Sequence, residues 1–148
     1  MKLPLQIDDK VAIGAQPSEA DLAKMKQQGI ATVINLRRAG ENNQPLSPDE
    51  EGEKARALGL RYVHIPVSSA DMRPEQVDEY GKAVDASPGP VHVHCGVGAR
   101  AGIFAMLHSG AKRGLTADQL VLEAKQKGID LSDPVMLDVV VGYLDRKR

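Results

Sequence analysis

The chain has one cysteine, no tryptophan, one phenylalanine and three tyrosines among 148 residues. A single cysteine excludes an internal disulfide framework and a cysteine-rich zinc site. So few aromatics weaken any stacking platform for single-stranded nucleic acid. The formal net charge is −1, so no global basic field favours a nucleic-acid partner. No apolar run approaches the length of a membrane span, which argues against a membrane partner. The opening "MKLPLQIDDK" lacks the apolar core of a signal peptide, so the expected location is the cytoplasm; a trimmed exported form would read the same. There is no internal repeat and no low-complexity segment, and the length suits one domain, residues 1–148.

What is present alternates between strand-like and helix-like segments. Val11 to Gln16 reads as a short strand or extended segment. "PSEADLAKMKQQG" follows as a helix, with Ser18 and Asp21 in capping-box positions and Gly29 as its stop. Ala31 to Leu36, apolar and partly β-branched, reads as a buried strand. Arg38 to Pro45 is a polar loop. The next helix opens with Ser47 as N-cap, Pro48 in its first turn and Glu50 completing the box. "RYVHIPV" is a strand, "SSADMR" a polar loop, "PEQVDEYGKAVDA" a helix and "PVHVHC" a strand. Three helices finish the chain, starting near Arg100, at Thr116 with Gln119 as box partner, and at Ser132 to Pro134. Such alternation predicts an α/β fold with a mostly parallel central sheet flanked by helices, and ligands at the carboxyl ends of its strands.

The only thiol lies at one of those ends, in "VHVHCGVGARAG", Val91 to Gly102. A strand, a glycine-rich turn and a helix N-terminus point several backbone N–H groups at one place, which makes an anion cradle. Gly96 and Gly98 suit positive φ and close backbone approach. Arg100 offers a fork of donors to the same anion. Cys95 would sit among the same positive partial charges and favour its thiolate, a nucleophile beside an oxyanion site. The plainer reading is a small buried hydrophobe followed by a tight turn.

On these residues the chain resembles the tyrosine-phosphatase-like superfamily, and more narrowly the bacterial phosphatase-like domain family of beta-lactamase hydrolase-like proteins. Gly14 to Glu41, "LGLRYVHIPV" and "PGPVHVHCGVGARAG" carry the likeness, which extends to about Gly110. The resemblance implies a three-layer phosphatase-like fold and a cysteine-dependent phosphatase that needs no cofactor and no metal. In it Cys95 attacks phosphorus, Arg100 and the amides of Gly96, Val97, Gly98 and Ala99 hold the phosphoryl oxygens, and a phosphocysteine forms and is hydrolysed. A phosphorylated protein or a small phosphate ester is the implied partner. The general signature has five residues between Cys and Arg, whereas here there are four, as in the narrower family. Ala101 stands where a serine or threonine hydroxyl usually helps the thiolate leave. Two other readings follow. Rhodanese-like sulfurtransferases share the short loop and would carry a persulfide on Cys95. A non-catalytic phosphate- or phosphoprotein-binding module would fit Ala101.

Leaving-group protonation requires an acid near the nucleophile. By the resemblance, the loop after "RYVHIPV" carries it, which points to Asp71; the alternative is that Asp71 caps a turn. Glu75 and Asp78 read as residues of a solvated helix face. His94 precedes Cys95 as in the phosphatase signature and is expected to support the loop. His92 shares its strand face. His-x-His can bind metal, but no acidic or cysteine cluster accompanies it. His64 and His108 read as structural. Arg37 and Arg38 could extend a positive rim, or be solvated or paired at the surface. Ala101 to His108 reads as a buried central helix.

Overall fold

The computed structural model describes residues 2–148. Its elements run β1 (Leu5–Gln6), β2 (Val11–Gly14), α1 (Glu19–Gln27), β3 (Thr32–Asn35), α2 (Pro48–Ala57), β4 (Arg61–His64), α3 (Pro74–Ala86), β5 (Val91–His94), α4 (Ala99–Lys112), α5 (Ala117–Gln126) and α6 (Pro134–Arg146). The strands form one sheet in the order β1-β2-β5-β3-β4. All pairings are parallel except β1 with β2. The α/β fold with a mostly parallel sheet and flanking helices is therefore as expected. The short β1 has no periodic signature of its own, and it is a strand because its backbone pairs with β2.

The helix starts follow local chemistry. Ser18, Ser47 and Thr116 each accept a hydrogen bond from the third helical amide, and the side chains of Asp21, Glu50 and Gln119 accept one from the cap amide. Asp133 caps α6 through the amide of Met136. α3 starts on Arg73 without a side-chain cap bond, and α4 starts on Gly98, which has φ +96° and no side chain to take the first-turn amides of α4. Those donors are left for whatever lies in front of the helix.

Strand alternation sorts the residues to two faces. Val11, Ile13, Ile34, Val91 and Val93 join the large apolar core with residues of α3, α4, α5 and α6. There Tyr80 meets Phe104 edge to face, with ring centroids 6.1 Å apart. Val33 faces the other way, into a smaller cluster with Leu22 of α1, Ala55 of α2 and Leu60. His94 also faces this side, where its ring meets Glu51 of α2.

Strand order then gathers the loops. β5 lies between β2 and β3, so the segments after β2, β3, β4 and β5 emerge along one edge. The strand called Val11 to Gln16 ends at Gly14, which places Gln16 in the first of those loops. Asp78 is not on a merely solvated face. It accepts a hydrogen bond from Tyr143 at 2.8 Å and pairs with Arg146 and Lys147, tying α3 to α6. His108 packs against Tyr80 and pairs with Asp85.

Candidate active site

Cys95 is the first residue after β5 and is 1% exposed. Its Sγ accepts hydrogen bonds from the amides of Gly98 at 3.1 Å and Ala101 at 3.4 Å. The second of these comes from the uncapped first turn of α4. The position that lacks a hydroxyl therefore still presents a donor to sulfur. Gly98 needs its glycine, since φ +96° strains any L side chain. Gly96 does not adopt positive φ, contrary to the expectation for both glycines. A Cβ there would stand 3.5 Å from Nη2 of Arg100 and 3.9 Å from Nε of Arg37. Two guanidinium groups thus flank the loop. Val97, at its crest, is 78% exposed.

Arg100 is held from behind. Its Nη1 donates to Oε2 of Glu41 at 2.7 Å and to the Val67 carbonyl at 2.8 Å, and its Nη2 donates to Oε1 of Glu41 at 2.8 Å. A guanidinium has five N–H donors, so Nε and one hydrogen of Nη2 remain for an anion. Glu41 raises the affinity of Arg100 for its proton, and the charge lies beside the Cys95 sulfur. The reciprocal effect is large. The Arg100 hydrogen bonds, with help from the Arg38 amide and the Arg37 side chain, hold Glu41 down at about 2.

Arg37 corrects the expectation of a surface or rim residue. It is 3% exposed, and its side chain donates to Glu41, to Gln16, and to the carbonyls of Asn42 and Asn43. His64 contacts the Arg37 carbonyl through Nε2 at 2.6 Å, and Asn35 accepts from the Arg37 amide. Arg38 is the exposed member of the pair, its side chain 60% accessible.

His94 lies under the loop, fully buried. Its Nε2 is 2.6 Å from Oε2 of Glu51, and its Nδ1 is 3.4 Å from the Cys95 carbonyl. Glu51 comes from α2 and is 0% exposed. Its Oε1 accepts from Gln16 at 2.7 Å. Tyr62 lies alongside; burial, then the Glu51 carboxylate, push its hydroxyl well above the usual phenol range. His92 is turned against Gly14, where its Nε2 finds no hydrogen-bond partner. Burial, and the neighbouring His94, push His92 down to about 4. Among the described residues no group of three or more His, Cys, Asp or Glu side chains converges as a metal site would require.

Asp71 lies in the loop after β4, as the sequence implies. Its carboxylate is 61% exposed and takes the Arg73 guanidinium at 2.9 Å. Its amide closes a turn on the Ser68 carbonyl. Sequence reasoning missed Gln16, Glu41 and Glu51. Glu51 alone left a trace: it shares a helix face with Pro48, Gly52 and Ala55, which are all buried.

A cysteine under helix amides, an arginine fork with two donors to spare, and a parallel sheet edge that collects them suit a phosphoryl group. Residues 5–112 match the family described as beta-lactamase hydrolase-like protein, phosphatase-like domain. The chain belongs to that family. A beta-lactamase hydrolase-like protein of Xylella fastidiosa is 30% identical over 131 residues, covering 88% of this chain and 30% of the relative. The chain thus spans under a third of the length of that relative. The nma1982 protein of Neisseria meningitidis has the same fold, with TM-score 0.76, 23% identity and full coverage of both chains. TpbA of P. aeruginosa, solved with phosphotyrosine, aligns with TM-score 0.73 and 18% identity over 99% of this chain and 88% of its own. The expected enzyme class, phosphatase, is met at the level of the family. No described helix is long and apolar enough to cross a membrane.

Proposed function

We propose that this domain hydrolyses phosphoric monoesters through a phosphocysteine on Cys95. The observation that carries the reading is the shared focus of the loop amides and Arg100 on the Cys95 sulfur. The thiolate attacks phosphorus, an S–P bond forms and the ester P–O bond breaks. The leaving oxygen takes a proton from Asp71 in its acid form, after that side chain turns from Arg73 to the loop. Nonbridging oxygens rest on the amides of Gly96, Val97 and Ala99 and on the two free donors of Arg100, while the Gly98 amide stays on the sulfur. These donors are fixed before substrate arrives, so no reorganisation is needed as charge shifts to the oxygens.

In the second step, water attacks phosphorus and passes its proton to the Asp71 carboxylate. The P–S bond breaks, and inorganic phosphate and the thiolate result. The departing sulfur has no hydroxyl donor at Ala101. The amides of Gly98 and Ala101 take that task, which predicts a second step slower than the first. The partner in this reading is a phosphorylated protein or a small phosphate ester, and the phosphotyrosine held by TpbA makes aryl phosphates the first class to try.

The deciding experiment is metal-free hydrolysis of an aryl phosphate by the protein and by Cys95→Ser. Serine keeps the cradle and lacks an easily formed anion. The expected result is turnover that the substitution abolishes. Equal turnover by both proteins would overturn the cysteine mechanism. No turnover by either, with phosphate still bound, would favour a binding module, and consumption of thiosulfate with a persulfide on Cys95 would favour a sulfurtransferase.

A further inference from the structure

The side chains around the loop form one continuous belt. It runs from His94 to Glu51, from Glu51 to Gln16, from Gln16 to Arg37, from Arg37 to Glu41 and from Glu41 to Arg100. His94 precedes the first residue of the anion loop and Arg100 closes it. The belt therefore joins the two ends of the loop through α2 and the segments after β2 and β3. Gln16 is its middle link. Its Nε2 donates to Glu51 at 2.7 Å, and its Oε1 accepts from Arg37 at 2.9 Å. An amide side chain can donate to a carboxylate through its nitrogen and accept from a guanidinium through its oxygen at once.

Glu51 is the costly member. A fully buried carboxylate opposes folding unless its oxygens are paired, and an apolar residue on that face of α2 would pack more cheaply. Both oxygens are used, one for each direction of the belt. At 2.6 Å a hydrogen lies between Nε2 of His94 and Oε2 of Glu51, and this bond keeps the imidazole turned towards the loop.

We propose that Gln16 and Glu51 are positioning residues for phosphate. They fix the entry of the anion loop through His94 and link it to the exit clamp at Arg100, so that amides and guanidinium keep one spacing. This deepens the phosphatase reading and rests on it for its kinetic consequence.

The test uses the full chain with inorganic phosphate as probe, followed by the amide NMR signals of Gly96 and Gly98. Gln16→Met keeps the length of the side chain and removes both hydrogen bonds without leaving a charge at position 16. Glu51→Gln keeps the shape and removes the carboxylate. Each variant is expected to weaken phosphate binding and lower kcat by about ten-fold or more, the usual effect of cutting support behind a site. Their free-state Gly96 and Gly98 signals should shift while the remaining core amides stay. Adding Glu41→Gln to Gln16→Met should cost less than the product of the two single effects, because the belt is already cut. Gln16→Met, at a half-buried position, carries the test if Glu51→Gln does not fold. A folded Gln16→Met protein with parental phosphate affinity and parental loop signals would overturn the proposal. Loss of phosphate binding in the variants, with no ester hydrolysed by the parent, would leave the belt standing and remove the phosphatase reading.

Discussion

The two faces of the sheet are built on different principles. The face under α3 to α6 is almost wholly apolar, with Ile13, Ile34, Val91, Val93, Phe104, Met106, Leu107 and Leu120 all buried. The face under α1 and α2 has a core of only Leu22, Val33, Ala55 and Leu60. Around it lie buried or part-buried polar groups: Asn35, Glu51, Tyr62, His92 and His94. Apolar burial is non-directional and tolerant of detail, whereas paired polar groups impose distances and angles. One face therefore supplies stability, and the other sets the geometry at the end of β5. The difference explains how a face with a small apolar core still anchors the loop.

This contrast predicts that damage to the two faces separates into two kinds. The largest effect on turnover after loss of Cys95 should come from Arg100→Lys. It keeps the charge but loses the fork, and kcat/KM on an aryl phosphate should fall by about 10²-fold or more, as on removal of an oxyanion donor. Thermal unfolding of the same variant should move little; a large fall in Tm would mean that the clamp also serves as core. The reverse is expected at Leu120, buried in the apolar face against Gly110. Leu120→Ala should cost about 2–5 kcal/mol in denaturant unfolding. Its kcat/KM, measured well below the transition, should equal that of the parent.

Acid should act on the polar face. His92 is lowered from 6.5 to about 4 by burial, so the unfolded chain binds its proton first and stability falls as pH drops from 6.5 towards about 4. Glu41 is lowered from 4.5 to about 2 by its arginine partners, so its contribution is complete above 4.5 and is lost as pH falls towards about 2. Unfolding free energy measured against pH should show both limbs. Glu41→Gln should flatten only the lower one, and an unchanged lower limb would assign acid loss to other carboxylates. The smallest effect belongs to the rim. Asp71→Asn should change hydrolysis of an aryl ester with a good leaving group only slightly, and that of an alkyl ester more, because only the second needs its leaving oxygen protonated. Equal effects on both esters would remove Asp71 as the acid.

Much of this molecule is legible one segment at a time. The capping boxes at Ser18, Ser47 and Thr116 mark helix starts because a cap and its partner lie three residues apart. The strands at Thr32–Asn35 and Val91–His94 show as short β-branched runs. The Cys95 to Arg100 stretch is equally local, since nucleophile, amides and clamp all lie within one strand–turn–helix unit. Asp71 could be placed in its loop by resemblance, but not its pairing with Arg73.

The rest required three dimensions. Arg37 and Arg38 are adjacent and chemically identical, yet one is buried in a network and the other lies in solvent. Nothing local separates them, because strand register and the return of Glu41 decide which side chain turns inward. Glu51 reads as one of several acidic residues at a helix start. It becomes the partner of His94 only when α2 packs on the sheet, 43 positions away in sequence. The sequence by itself determined the helices, the strands other than β1 and the reactive loop, because hydrogen bonds and periodicity within a few residues specify them. Tertiary structure alone decided which charges are buried and which atoms they hold, because a buried charge is tolerable only where chain crossings bring its partners within hydrogen-bond reach.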